Sequence, residues 1–350
     1  MNAPLRVAVV GAGVMGRHHA NVYRLLPDVE LVGIVEPDAR RRQEAEQQFG
    51  CPTYPDTETL LACARVDAAS LAAPTTMHHT ITERLLAAGL HVLVEKPVAT
   101  RVEDAQRLAA MSRNRGLVLQ VGHITRFFRA IERLRAEVGQ PYLIEARRLT
   151  PNGRIQDVGV VLDLMIHDID IVLGLVRQPI VDVAVAGHTV GAGPHEDVCA
   201  AQVRFADGCV ARFLASRVAP DAERSLVVAD GRRTFRLDFA KDPHTEMTVY
   251  RPAPAEAGDR HAGGDPGGLD DHAAGIAGSA SHILVDRHVV FEDNPLRKQL
   301  AHFITRIRGG TDPIGTLEDD IRSLSLAQDL LVRLARQGGV RASHAEASPR

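Results

Sequence analysis

The sequence lacks the patterns that would place it in several functional classes. Its four cysteines, Cys51, Cys63, Cys199 and Cys209, form no CxxC pair and show no metal-ligand spacing. That excludes a redox motif or a zinc knuckle and leaves them as small, reduced core residues. There is no HExxH, and the adjacent pairs His18–His19 and His78–His79 cannot face one ligand point on a regular element. No metal is therefore expected. No apolar run approaches the roughly 20 residues of a membrane span. Met1 to Pro4 leads straight into the first apolar segment, which leaves no room for a signal peptide and points to the cytoplasm. An excess of one charge is also missing. A net charge of −3 gives no reason to expect nucleic acid or an anionic membrane as partner. Internal repeats are absent. What remains is 350 residues, 45% hydrophobic and 24% charged, which suits two packed domains of ordinary size.

The chain is organised around a turn near its start. Residues 5–10 are a short apolar run, Gly11-Ala12-Gly13-Val14-Met15-Gly16 follows at once, and residues 17–23 read as a helix. Strand, glycine turn and helix in that order are what a dinucleotide pyrophosphate requires. Gly11 allows the tight turn, Gly13 admits the phosphates to the backbone N–H groups, and Gly16 lets helix and strand pack closely. The anion would sit on the positive end of the helix. A second apolar segment, residues 29–35, ends in Glu36, twenty residues past Gly16. A carboxylate there accepts bonds from the adenosine ribose hydroxyls and repels a 2′-phosphate, so NAD is expected in preference to NADP. Arg40, Arg41 and Arg42 follow closely and are the groups that could reverse that preference.

Strands and helices alternate through residue 122: strands at 67–73, 91–94 and 117–120, helices at 77–88 and 102–114. Such alternation predicts a parallel sheet covered on both faces, with ligands beyond the strand carboxyl ends. From about residue 125 the grammar changes. An Arg-rich helix (125–138), a strand (142–149) and a helix (160–175) lead into period-two strands. Hairpins are predicted at 197–217 on Asp207-Gly208 and at 225–239 on Asp230-Gly231. The fold class is α/β: a Rossmann domain over 1–122 and an α+β domain with a large, mainly antiparallel sheet over 123–338. Residues 252–280, rich in Gly, Ala, Pro and Asp, read as a flexible loop, and 339–350 as a tail. Two helices, 295–308 and 317–336, close the chain.

Two constellations carry chemistry. Glu95-Lys96-Pro97 ends a strand where the nicotinamide should lie, and a lysine there is either an adjustable cation or part of a plain turn. Asp163, His167 and Asp170 fall at i, i+4 and i+7, on one face of a helix whose remaining surface is apolar. They are either a general base with Asp163 fixing its tautomer, or a core histidine satisfied by two acids. A basic group comprises Arg126, Arg129, Arg133, Arg135, Arg147 and Arg148, with Arg154 beyond. Arg126 and Arg148 fall nearest the expected cleft and could serve a phosphate.

Taken together, Gly11-x-Gly13-x-x-Gly16, Pro74-Thr75-x-x-His78, Glu95-Lys96-Pro97 and Asp163-x-x-x-His167-x-x-Asp170 resemble the glucose–fructose oxidoreductase / inositol dehydrogenase (Gfo/Idh/MocA) family. The resemblance spans nearly the whole chain. It implies an NAD(P)-dependent dehydrogenase with Lys96 and His167 at the reacting carbinol, supported by Asp163. It implies a cofactor lined by Gly11, Gly13, Met15, Gly16, Glu36, Thr75, His78, Glu95, Lys96 and Gln120, and a cis Lys96–Pro97 bond. The C-terminal sheet would serve a homodimer or homotetramer. Many members carry glycine where Met165 stands, which narrows the branch. Residues 121–127 and 160–170 look like the members that oxidise the 3-hydroxyl of UDP-N-acetylglucosamine, with His123, Arg126 and Arg148 toward the substrate. A free polyol such as inositol remains an alternative substrate, and a non-catalytic NAD-dependent sugar sensor an alternative class.

Overall fold

The computed structural model describes residues 3–151, 157–241, 244–253 and 283–337. The loop expected at 252–280 and the tail at 339–350 lie almost wholly outside these residues, and Arg154 lies wholly outside. Six strands form the first sheet: β1 (Leu5–Val10), β2 (Val29–Val35), β3 (Thr53–Tyr54), β4 (Ala68–Leu71), β5 (His91–Glu95) and β6 (Leu119–Gly122). Their order is β3-β2-β1-β4-β5-β6, and every pairing is parallel. The helices between them are α1 (Val14–Tyr23), α2 (Ala39–Phe49), α3 (Thr57–Cys63), α4 (His78–Ala87) and α5 (Val102–Asn114). Strand order reverses at β1/β4, so the crevice beyond these strands is the expected ligand site.

The second half begins with a 3₁₀ turn, Ile124–Phe127, followed by α6 (Arg129–Glu137). The single helix expected over 125–138 is thus broken at extended Phe128. Then come β7 (Leu143–Leu149) and a π turn, Val161–Met165, which runs into α7 (Ile166–Leu175). The strands β8 (Ile180–His188), β9 (Val198–Phe205), β10 (Val210–Ser216), β11 (Glu223–Ala229), β12 (Thr234–Asp238), β13 (His244–Pro252) and β14 (Ile283–Phe291) follow. They join β7 in an eight-stranded sheet ordered β14-β13-β12-β11-β7-β10-β9-β8. All its pairings are antiparallel except β7 with β10. Both Asp-Gly hairpins form, with Gly208 and Gly231 at positive φ.

Helices α8 (Pro295–Ile307) and α9 (Leu317–Arg336) close the chain. α9 opens with a capping box between Thr316 and Asp319 and packs on α7. α8 does not stay with the second sheet, as a boundary at residue 122 implies. Its Leu300, Phe303 and Ile304 are buried with Val7, Val9, Ala20 and Tyr23 under the first sheet. Each such side chain contributes roughly 1.5–3 kcal/mol of burial. Three cysteines are buried as expected, while Cys63 at the end of α3 is exposed. Among the described residues, no helix is long and apolar enough to cross a membrane.

Candidate active site

The glycine turn has three distinct environments. Gly11 has φ +100°, and a Cβ on it would lie 2.6 Å from the carbonyl oxygen of Ala72 after β4. At Gly16 a Cβ would lie 1.8 Å from the carbonyl oxygen of Gly11. These two are close-packing positions. Gly13 faces open space, with nothing within 4 Å of its Cβ position. It precedes α1, whose first turn has no side-chain cap and no acidic residue. The first N–H groups of α1 therefore remain available to an anion. Half-buried Met15 stands in that first turn. Glu36 at the end of β2 is 4% exposed, and its Oε2 accepts from Ala12 N at 2.9 Å. Its Oε1 accepts from Asp38 N at 3.1 Å. The carboxylate is thus fixed against the turn, where a ribose would meet it. Arg40 pairs with Glu44, and Arg42 donates to the carbonyls of Glu36 and Pro37. Arg41 approaches Glu36 at 3.8 Å. Cradle, helix end and carboxylate fit a dinucleotide.

Two more strand ends converge on the same crevice. Thr75 begins a 3₁₀ turn after β4 and is 9% exposed. His78 is 1% exposed, with Nδ1 2.7 Å from Pro97 O and Nε2 3.0 Å from Ala73 O. Both ring nitrogens face carbonyls, so His78 ties the Lys96–Pro97 turn to the turn after β4. In the neutral ring one of these nitrogens donates to its carbonyl, which directs the polar edge of His78 at backbone. Burial pushes its pKa down. The Lys96–Pro97 bond is cis.

Lys96 reaches across to the second domain. Its Nζ donates to the backbone carbonyl of Asp163 at 2.6 Å and to Oδ1 at 3.1 Å. Asp163 thus holds the lysine, and no bond from it to His167 is formed. The π turn explains this correction, because its extra residue breaks the straight α spacing between positions 163 and 167. The turn has no side-chain cap of its own; Glu196, from the β8–β9 loop, accepts from Val161 N at 3.0 Å instead. A Cβ at Gly159 would lie 2.0 Å from that Glu196 oxygen, so glycine admits the cap.

His167 is partly exposed, while its Nδ1 is buried and has no hydrogen-bond partner among the described residues. Burial, with the cations of Lys96 and Arg148 beside it, holds its pKa well below the ordinary histidine range. The ring is neutral at pH 7 and able to accept a proton.

Behind His167 lies a buried charge cluster. Arg126 donates from Nε to Asp170 Oδ2 at 2.9 Å and from Nη2 to Asp320 Oδ1 at 2.6 Å, and Nη2 also bonds Asp170 Oδ1. It is 5% exposed. His123, 2% exposed, lies 3.8 Å from Asp170 and 3.7 Å from Asp320, its ring edge-on to His167. Burial pushes His123 down to about 4. His123, Asp170 and Asp320 bring ligand atoms within 4.8 Å of one another, but Arg126 already supplies the countercharge a metal would bring. Arg148 donates to both oxygens of Asp168, at 3.1 and 2.7 Å. Of the three residues expected toward the substrate, His123 and Arg126 are buried, and the guanidinium groups of Arg126 and Arg148 are paired with acids. Gln120 is bonded to α8. Its amide donates to Gln299 O and accepts from Arg306, on the side of β6 that faces α8. A cavity of about 210 Å³ opens there, lined by Gln120, Arg126, Arg306 and Gly315 but not by Lys96, Asp163 or His167.

Comparison with known proteins matches both halves of the chain. Residues 5–123 match the oxidoreductase family with an NAD-binding Rossmann fold, and residues 130–236 match the GFO/IDH/MocA C-terminal domain. UDP-N-acetylglucosamine 3-dehydrogenase of Acidithiobacillus ferrooxidans is 35% identical over 277 residues, covering 78% of this chain and 83% of that protein. Its solved structure superposes with a TM-score of 0.81, covering 96% of this chain and 99% of that one at 28% identity. Myo-inositol 2-dehydrogenase of Thermotoga maritima is 25% identical over 222 residues, covering 59% of this chain and 66% of that protein.

Proposed function

The chain belongs to the Gfo/Idh/MocA oxidoreductase family, and from that premise we propose that it is an NAD-dependent dehydrogenase acting on UDP-N-acetylglucosamine, oxidising the 3-hydroxyl to the 3-keto sugar. The observation that carries the chemical part is the bond of Lys96 to Asp163 beside a neutral, partly exposed His167. Bound nicotinamide supplies the hydride acceptor. His167 takes the hydroxyl proton. Lys96, held by Asp163, places an ammonium beside the developing alkoxide. That charge makes the hydroxyl more acidic, which offsets the weak basicity of a buried imidazole. The substrate part rests on similarity to the Acidithiobacillus ferrooxidans enzyme over most of both chains. Arg126 and Arg148 are paired with buried acids and so are less available to a diphosphate. That observation favours a second reading, a free polyol, in line with the inositol dehydrogenase relative. Turnover on UDP-N-acetylglucosamine, UDP-glucose and inositol separates the two.

NAD is the proposed cofactor because Glu36, fixed against the glycine turn, carries a charge that would repel a 2′-phosphate. NADH should bind at least about tenfold tighter than NADPH, a difference of ~1.4 kcal/mol. Glu36→Ser should erase that margin in a fluorescence titration. Equal affinities in the unaltered protein would mean that Arg41 dominates.

We also propose a homodimer or homotetramer built on the second sheet. On the face turned away from α7 and α9, Val285, Val289 and Phe291 are 46%, 55% and 65% exposed. A partner would cover them. Light scattering should give at least twice the 37.9 kDa chain mass. A monomer at micromolar concentration contradicts it.

A further inference from the structure

His19 and Ser70 take no part in the chemistry above, yet they stand directly behind Glu95. His19 is fully buried on α1, the helix whose start faces the expected pyrophosphate. Its Nδ1 lies 2.7 Å from Ser70 Oγ on β4, and its Nε2 lies 3.1 Å from Glu95 Oε1 at the end of β5. Gly122 keeps the far side clear: a Cβ there would come within 2.8 Å of the same Glu95 oxygen. The Glu95 side chain is 14% exposed, and no described residue bonds its second oxygen. One oxygen is therefore clamped while the other makes no hydrogen bond to a described residue, next in sequence to Lys96.

We propose that His19 is a positioning residue for Glu95: its Nε2–H holds the carboxylate in one orientation, so that the second oxygen can accept from the nicotinamide half of the dinucleotide. Ser70 sets the tautomer by donating its hydroxyl proton to Nδ1. This rests on the dinucleotide reading above. Burial alone pushes the Glu95 carboxyl up. The bond from His19, with the charge of Lys96, brings it below the ordinary range. Tyr23 on α1 and His123 after β6 also face it. Removing His19 takes away that bond and leaves burial less opposed, so Glu95 should then be neutralised at a higher pH than in the unaltered protein.

The test is NADH affinity as a function of pH, with no sugar present. His19→Leu should weaken NADH about tenfold at pH 7.5 and more at pH 5.5. His19→Gln, which keeps a donor at that reach, should bind within about threefold of the unaltered protein, without the acid loss. Glu95→Gln should bind weakly at every pH. In parallel, nitrogen NMR of the ligand-free protein should show His19 carrying its proton on Nε2. An Nδ1–H tautomer overturns the proposal, since Nε2 would then present a lone pair to the carboxylate. So does an equal, pH-independent loss in the Leu and Gln variants, which would make His19 a packing residue only. Neither measurement uses substrate, so a wrong sugar assignment leaves both decisive.

Discussion

Replacing His167 by asparagine is expected to lower turnover by about a hundred- to ten-thousand-fold, the usual contribution of a general base. Folding and NADH binding should survive. The reason is local: the buried Nδ1 of His167 bonds no described residue, so the substitution strands no partner. The neighbours that hold the ring neutral, Lys96 and Arg148, keep their own acids, Asp163 and Asp168. Single-turnover measurement of nicotinamide reduction reads the effect on the chemical step. A variant that keeps more than about a tenth of the rate would put the base elsewhere and leave His167 a core histidine.

The second large effect is on stability. Arg126→Met should destabilise the fold by about 3–5 kcal/mol, the range for breaking one side of a buried ion pair. It would leave Asp170 and Asp320 facing each other with only Ser323 still bonded to Asp170. Asp320→Asn should be much milder, because Asp170 still pairs with the arginine. The two variants also differ in pH dependence. Burial, aided by the charge of Asp170 and opposed by Arg126, pushes Asp320 up to about 7. A carboxyl raised above its unfolded value of about 3.9 stabilises the fold fully below that value, and the contribution is lost as pH rises toward 7. Denaturant unfolding of the unaltered protein should therefore show this loss between about pH 4 and 7, and Asp320→Asn should lack it. A variant at Arg126 with unchanged stability but a raised KM for substrate would return that arginine to the substrate pocket.

How much of this was legible in the sequence depended on the range of the signal. Motifs carried by one strand end and the next few residues were readable, because turn geometry and helix ends act locally. Gly11, Gly13, Gly16, Glu36 and Lys96 all stand where strand-turn-helix logic puts them. The Asp-Gly hairpins and the limits of α8 and α9 were readable for the same reason. Long-range partners were not. Arg126 looked like a cleft cation because nothing local announces Asp170, 44 residues on, or Asp320, 194 residues on. The π turn at Val161–Met165 has no signature in an apolar run, so Asp163 was assigned to His167 when it holds Lys96. Glu196 and His19 were missed alike. A buried acid in a loop or a second histidine in a helix is silent until the packing supplies its partner. β14 went unread because, at the sheet edge, it exposes apolar residues and blurs its alternation.

The central claim is hydride removal from the 3-hydroxyl of UDP-N-acetylglucosamine, and one assay meets it directly. NADH formation is followed at matched concentrations of UDP-N-acetylglucosamine, UDP-glucose and inositol, with the product of the first trapped and its keto carbon located by NMR. NADH formation with UDP-N-acetylglucosamine should lie well above that with the other two, and the ketone should be at C3. Activity confined to inositol, or a ketone at another carbon, would contradict it.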